Sequence, residues 1–175
     1  MNSPYMGNFK VTQIQHSSHD GLDLVGLDSK EIHATVSGVV QHAGWENPND
    51  HKQGFGQYVC IYDRVTKLYY YYGHMSEIKV KTGDIVKCTD VIGIEGHTGY
   101  TIPDNENGSH CHYCARPQFR AGCCDDISKI SGIPNKLGVY NDGYTPAKTA
   151  EDRTNTINAI LEINGHKYSG LLSED

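Results

Sequence analysis

Gly108-Ser109-His110-Cys111-His112-Tyr113 places two imidazoles two residues apart. Successive side chains on an extended strand alternate between faces, so His110 and His112 share one face and can converge on a single ion or on the water it activates. Roughly ninety residues earlier, His19-Asp20-Gly21-Leu22-Asp23 offers the complementary half, an imidazole and a carboxylate. Zn²⁺ accepts imidazole, carboxylate and thiolate donors, and a catalytic zinc takes three protein ligands and leaves its fourth position to water. His19, Asp23 and one of His110 or His112 make such a set. The histidine left over is free for proton chemistry, because imidazole titrates near neutrality without a large perturbation. Another such histidine, His74, closes the aromatic, strand-like run Tyr69-Tyr70-Tyr71-Tyr72-Gly73-His74-Met75-Ser76. Together these segments point to a zinc hydrolase.

Around them the chain reads as mainly β, with Gly, Asn and Asp turn signals recurring every ten or so residues. Strands are expected at 32–36, 39–44, 57–63, 67–74, 77–80, 85–87, 91–95 and 110–115, with Asp63-Arg64-Val65-Thr66 joining a hairpin. Two of the rings at Tyr69 to Tyr72 should pack and two should face out. Neither heptads nor a repeat of twenty to fifty residues is present. Antiparallel sheets with histidines at strand ends would set the candidate ligands along one groove suited to an extended peptide. The polar loops Glu46 to Phe55 and Tyr100 to Gly108 would wall that groove.

The order of the motifs resembles that of the M23 peptidases, the lysostaphin-like or LytM-like zinc endopeptidases that cut peptidoglycan peptides. Here the family's His-x-x-x-Asp reads His19 to Asp23, and its Tyr-x-His-(Leu/Met)-Ser reads Tyr72-Gly73-His74-Met75-Ser76. Its Gly-x-Thr-Gly and His-x-His read Gly96-His97-Thr98-Gly99 and His110-Cys111-His112. Ile32 to Trp45 is similar to the family's apolar strand with Gly-Val-Val and Ala-Gly-Trp, and Lys81 to Gly93 to its Gly-Asp-x-Val and Ile-Gly segment. The resemblance covers roughly residues 7 to 125, and an ordered set of motifs is more specific than any one of them. It implies that His19, Asp23 and His112 hold Zn²⁺, while His74 and His110 act on the bound water and the developing oxyanion. It implies antiparallel sheets of the lysostaphin-like peptidase fold and peptidoglycan peptides as substrate, either glycine bridges or stem-peptide bonds. The alternative within the same fold is a catalytically inactive module that binds wall peptide or another protein. After its second histidine the family often continues with an aromatic residue and then a glutamate or similar polar group, where this chain has Tyr113 and Cys114.

The expected organisation is a peptidase domain at 1–125 and a C-terminal extension at 126–175. The extension would hold a short helical turn around Asp126 to Ile130, a loop at Gly132 to Tyr140, and a hairpin of 156–163 and 166–172 around Asn164-Gly165, a strong hairpin signal. The segment 132–140 is similar to one that follows such domains in prophage-encoded tail proteins, which makes phage tail proteins the further expected partners. With 175 residues and a formal net charge of −6, the chain suits one compact enzyme and does not suit nucleic acid as a partner. The opening Met1 to Lys10 has no apolar core of a signal peptide, and no stretch approaches the length of a membrane span. The expected place of action is the cell wall, reached from a larger parent protein, from a virion that carries the enzyme, or by holin-type release.

His16, His33, His42, His51 and His166 are expected to have no catalytic role, His97 to sit in a glycine-flanked turn facing water, and Asp20 to be an exposed loop residue. A closed structural site built on Cys111, Cys114, Cys123 and Cys124 with His110 or His112 is the main rival. Adjacent Cys123 and Cys124 suit chelation poorly, and six cysteines without a secretion signal fit a reduced compartment.

Overall fold

Alternation along short strands creates two faces, and each side chain's parity decides which face it serves. The computed structural model describes residues 2–121 and 126–143. Among these, in chain order, are β1 (Asn8–Gln13), β2 (Leu22–Gly26), β3 (Glu31–His33), β4 (Gly38–Trp45), β5 (Gln57–Asp63), β6 (Leu68–Tyr72), β7 (Glu77–Ile78), β8 (Ile85–Val86), β9 (Val91–Ile94), β10 (Cys111–Arg116), α1 (Ile127–Ser131) and β11 (Gly138–Asn141), with a 3-10 turn at Glu106–Gly108. An eight-stranded antiparallel sheet runs β11-β1-β2-β10-β6-β5-β4-β8, and a second sheet runs β3-β9-β7. The fold is mainly β, as the sequence predicts.

One face of the large sheet carries Phe9, Val11, Leu22, Leu24, Val59, Ile61, Tyr70, Tyr72, Cys111, Tyr113 and Ala115, which close with Ile32 and Ile92 of the small sheet into the main core. Fully burying an aliphatic or aromatic side chain of this kind contributes roughly 1.5–3 kcal/mol, so this face is what holds the sheets together. The polar tips inside are satisfied locally: the Thr35 hydroxyl lies 2.7 Å from the Tyr72 hydroxyl and 2.9 Å from that of Tyr113. Residues of opposite parity, including Asp23, His112, Cys114, Arg116, Tyr71, Cys60 and Tyr58, face the other way and form the floor on which the candidate site stands.

Three strands escape the sequence reading. β1 alternates with Phe9 and Val11 inward, a signal present but short. In β2, Leu22 and Leu24 flank Asp23, so the segment that supplies a carboxylate is itself a strand. β11 falls within the stretch expected to be loop, where pairing with β1 and the contact of Tyr140 with Phe9, ring centres 6.1 Å apart, give it a strand's geometry. Of the four tyrosines, Tyr70 and Tyr72 enter the main core, and Tyr71 is also buried, in a second cluster with Tyr58, Cys60 and Cys114. Three rings rather than two are therefore covered.

The helical turn forms at Ile127–Ser131, started by the Asp126 carboxylate accepting from the Ser128 and Lys129 N–H groups and stopped by left-handed Gly132. Ile127 and Ile133 enter the main core and β11 extends the sheet, so residues 126–143 are part of the sheet unit rather than an appendage beginning at 126. The predicted hairpin at 156–172 lies outside the described residues.

Buried Glu95 ties distant segments together. Its carboxylate accepts from the Tyr5 hydroxyl at 2.6 Å, the Gly26 N–H at 2.9 Å, the Ser109 hydroxyl at 2.9 Å and Lys30 Nζ at 2.8 Å. Glu95→Ala would leave several buried donors unpaired and should cost about 3–5 kcal/mol of unfolding free energy in urea denaturation. Removing half-exposed Lys30 should cost less than about 1 kcal/mol; equal costs would show that the carboxylate matters only as a surface ion pair.

Candidate metal centre and cleft

The β2–β10 register sets Asp23 directly across from His112. Both point to the floor side, which turns a separation of 89 positions into a contact of 3.0 Å between His112 Nδ1 and Asp23 Oδ1. The same carboxylate oxygen lies 3.1 Å from His19 Nε2 and 3.6 Å from His110 Nε2. His74 stands against His110 with ring centres 4.6 Å apart. All five side chains named from the sequence thus meet, and Asp23, His74 and His112 are buried.

Main-chain carbonyls decide how the rings face. The Nδ1–H of His19 donates to the Ile14 carbonyl at 2.9 Å, that of His74 to Thr98 at 2.7 Å and that of His110 to Gly108 at 2.7 Å. A carbonyl only accepts, so in each neutral ring Nε2 is left with a lone pair. For His19 that lone pair faces the Asp23 carboxylate at 3.1 Å. Two lone-pair atoms that close repel unless a proton or a cation lies between them. Ligand atoms of His19, Asp23 and His112 lie within 4.8 Å of one another, and two imidazoles with one carboxylate are a donor set suited to a divalent cation with an open coordination position.

The electrostatics follow from the crowding. Burial, with His110 adding to it, pushes the His74 imidazole down to about 3 and keeps it neutral. Burial works to raise the Asp23 carboxyl, but His112 and His19, in the states where they carry a proton towards it, and the nearby His110 hold it well below the usual carboxylate range. Burial alone would lower His112, and Asp20 and Asp23 at its two nitrogens outweigh that and raise it well above the ordinary imidazole value.

The Gly96-His97-Thr98-Gly99 motif serves position rather than chemistry. Thr98 donates its hydroxyl to the Met75 carbonyl at 2.8 Å, accepts from the Gln57 N–H at 2.9 Å, and offers its own carbonyl to His74. His74 itself adopts a left-handed backbone (φ 62°), a conformation costly for a residue with a Cβ and held here by Gly73 N–H to the His112 carbonyl and His74 N–H to the Phe55 carbonyl. Gly99 (φ 82°) approaches Gly56 so closely that a Cβ would lie 2.3 Å from the Gly56 nitrogen. This contact brings the 46–56 loop against the turn that supports His74.

A cavity of about 720 Å³ opens above the cluster. Its walls include Glu46, Phe55, Tyr100, Ile102 and Asn107, from the two loops expected to form them. Lys52 Nζ to Asp104 Oδ2 at 3.0 Å and Tyr100 N–H to the Gly54 carbonyl at 2.9 Å join those loops to each other.

Of the other described histidines, exposed His16 stands beside His19 with ring centres 5.8 Å apart, His33 donates its Nδ1–H to the Thr89 carbonyl, His42 stacks on Tyr58, His51 stacks on Trp45, and His97 is half-exposed beside Asp104. The thiolate cage finds no support among the described residues. Cys111 and Cys114 differ in parity, so one thiol enters the main core and the other the floor cluster. Cys123, Cys124 and His166 lie outside the described residues. Asp20 is a correction: it is half-buried, 2.6 Å from Arg116 Nη2, rather than an exposed loop residue.

Residues 17–121 match the sequence profile of peptidase family M23. The chain belongs to this family. Lysostaphin from Staphylococcus simulans is 30% identical over 100 residues, which are 57% of this chain and 18% of lysostaphin. The L-Ala--D-Glu endopeptidase of Bacillus subtilis is 29% identical over 99 residues, 54% of this chain and 28% of the relative. The chain thus spans less than a third of the length of these curated relatives. Among solved structures, the catalytic domain of the prophage-encoded M23 protein EnpA from Enterococcus faecalis, a point mutant, superposes with a TM-score of 0.56 at 25% identity, over 71% of this chain and 94% of that one. M23 is a family of metallopeptidases, and the five side chains above all lie within the matched span or its folded neighbourhood.

A cation that binds only the folded cluster stabilises it by mass action, by about 2.7 kcal/mol at a hundredfold excess over the dissociation constant. Calorimetry should therefore show the wild-type melting midpoint rising on addition of Zn²⁺, with Asp23→Ala abolishing the rise. A rise that persists in that variant would remove the carboxylate from the cation site.

Proposed function

We propose that the chain is a zinc-dependent endopeptidase that hydrolyses peptide bonds of bacterial peptidoglycan, with His19, Asp23 and His112 holding Zn²⁺ and His74 and His110 acting on the reacting groups. One observation carries the reading: four imidazoles and one carboxylate converge at the foot of an open cleft, with three rings fixed by carbonyls so that Nε2 faces inward. Bound zinc would supply a water of lowered pKa and polarise the scissile carbonyl.

The chain's own groups do the rest. The inward Nε2 positions of His74 and His110 form an adjacent pair, so one ring accepts the proton of the attacking water and returns it to the leaving amine. The other stabilises the developing tetrahedral oxygen in the state where its own Nε2 carries a proton to donate. Thr98 and Gly108 keep both rings from turning, which preserves the attack geometry without reorganisation. The loops at 46–56 and 100–108 give the cleft walls along which an extended peptide lies.

The names of the relatives support the substrate class, and the likeness to a prophage-encoded protein supports a phage particle as the carrier that brings the domain to the wall. Peptidoglycan peptides are then the partners in the cleft, and tail proteins the partners in the particle.

The test is digestion of a panel of muropeptides, glycine-bridged and stem-only, followed by mass spectrometry alongside elemental analysis. The expected result is one zinc per chain and cleavage of at least one muropeptide, with His74→Ala and His110→Ala each lowering the rate by about 10²–10⁴ while keeping zinc. Zinc-loaded protein that binds wall fragments and cleaves none of them would make the chain a binding module instead.

A further inference from the structure

Three rings of the cluster lean on the main chain, and His112 does not. Its orientation is reversed: Nδ1 faces Asp23 at 3.0 Å, and Nε2 is the nitrogen on the side of Asp20. That Nε2 is buried and makes no hydrogen bond, and Asp20 Oδ1 lies 3.4 Å from it, within ion-pair range and long for a hydrogen bond. Asp20 is in turn fixed by Arg116, whose Nη2 is 2.6 Å from Oδ2 and whose guanidinium sits 5.3 Å from the Phe55 ring centre and 5.1 Å from that of Tyr71. Gly21 leaves room for the contact, since a Cβ there would lie 2.7 Å from His112 Nε2. Cys114 is also near, its thiol grouped with Asp20 and His112 within 4.8 Å. With the Arg116 cation already against Asp20, this group does not read as a second cation site.

We propose that Asp20, clamped by Arg116, is the positioning residue for His112: it accepts the Nε2 proton and thereby fixes the tautomer in which Nδ1 presents its lone pair to the cation. The proposal rests on the metal reading of His19, Asp23 and His112 given above. A neutral imidazole that gives one nitrogen to a metal carries its proton on the other, and that N–H needs an acceptor that holds the ring plane. Thr98, Gly108 and Ile14 perform this service for the other rings through carbonyls. At His112 the backbone offers none. The five residues His19 to Asp23 thus supply two candidate ligands, the support of a third ligand, and the space in which that ring lies.

The experiment is a competition titration of the full chain with Zn²⁺ and a fluorescent chelator, combined with long-range ¹H–¹⁵N spectra of the histidines in the zinc-loaded protein. Wild type should bind one zinc with His112 as the Nε2–H tautomer. Asp20→Ala should weaken zinc by about 10- to 100-fold and blur that tautomer signature, and Asp20→Asn, which keeps an acceptor oxygen and the side-chain volume, should recover part of the affinity. Zinc affinity in Asp20→Ala and Asp20→Asn within about twofold of wild type, with the tautomer unchanged, would overturn the proposal. So would two zinc ions in wild type with one lost in Asp20→Ala, because Asp20 would then be a ligand. Asp23→Ala separates the two readings: zinc affinity unaffected by that substitution would overturn the metal reading along with this one.

Discussion

One carboxylate oxygen, Asp23 Oδ1, lies within 3.6 Å of a nitrogen from each of three histidines. It is buried, held as a carboxylate, and faces nitrogen lone pairs that would repel it without an intervening proton or cation. Every other element of the site can be read as a means of reaching that point. The β2–β10 register brings His112 opposite, the turn before β2 brings His19, and the start of β10 brings His110. The left-handed step after Gly73 brings His74.

The arrangement is rigid because its supports are main-chain atoms in hydrogen-bonded segments. Thr98 is the clearest case: its side chain joins two strands' ends while its carbonyl sets a ring. Glu95 acts farther out, pulling Ser109, the neighbour of His110, toward Gly26 at the end of β2. Below this lies a tightly filled apolar face, so a shift of any strand would have to displace packed tyrosines and aliphatic side chains. Above it lies an open cleft whose walls include the exposed side chains of Tyr100 and Ile102.

Much of this was legible in the sequence because parity is local. His110 and His112 announce a shared face at a spacing of two, and the motif order places His19, Asp23 and His74 with them. The strands richest in β-branched and aromatic residues, β5, β6 and β9, could be read for the same reason. What was hidden depends on contacts between distant segments. β11 becomes a strand only because β1 lies beside it, and Asp20 looks like a loop residue until Arg116, 96 positions later, reaches it. The carbonyls of Ile14, Thr98 and Gly108 carry no side-chain signal, so the ring orientations that decide the chemistry could not be read from residue types. The Cys111–Cys114 spacing misleads in the opposite sense, since a knuckle spacing on a strand sends its thiols to opposite faces.

Anomalous diffraction from a zinc-loaded crystal at the zinc absorption edge locates the cation among these side chains. A single strong peak bonded to His19 Nε2, Asp23 and His112 Nδ1, with a coordination position open to the cleft, is expected. A peak bonded instead to Cys114 and Asp20, or one closed off by thiolates, would contradict that placement.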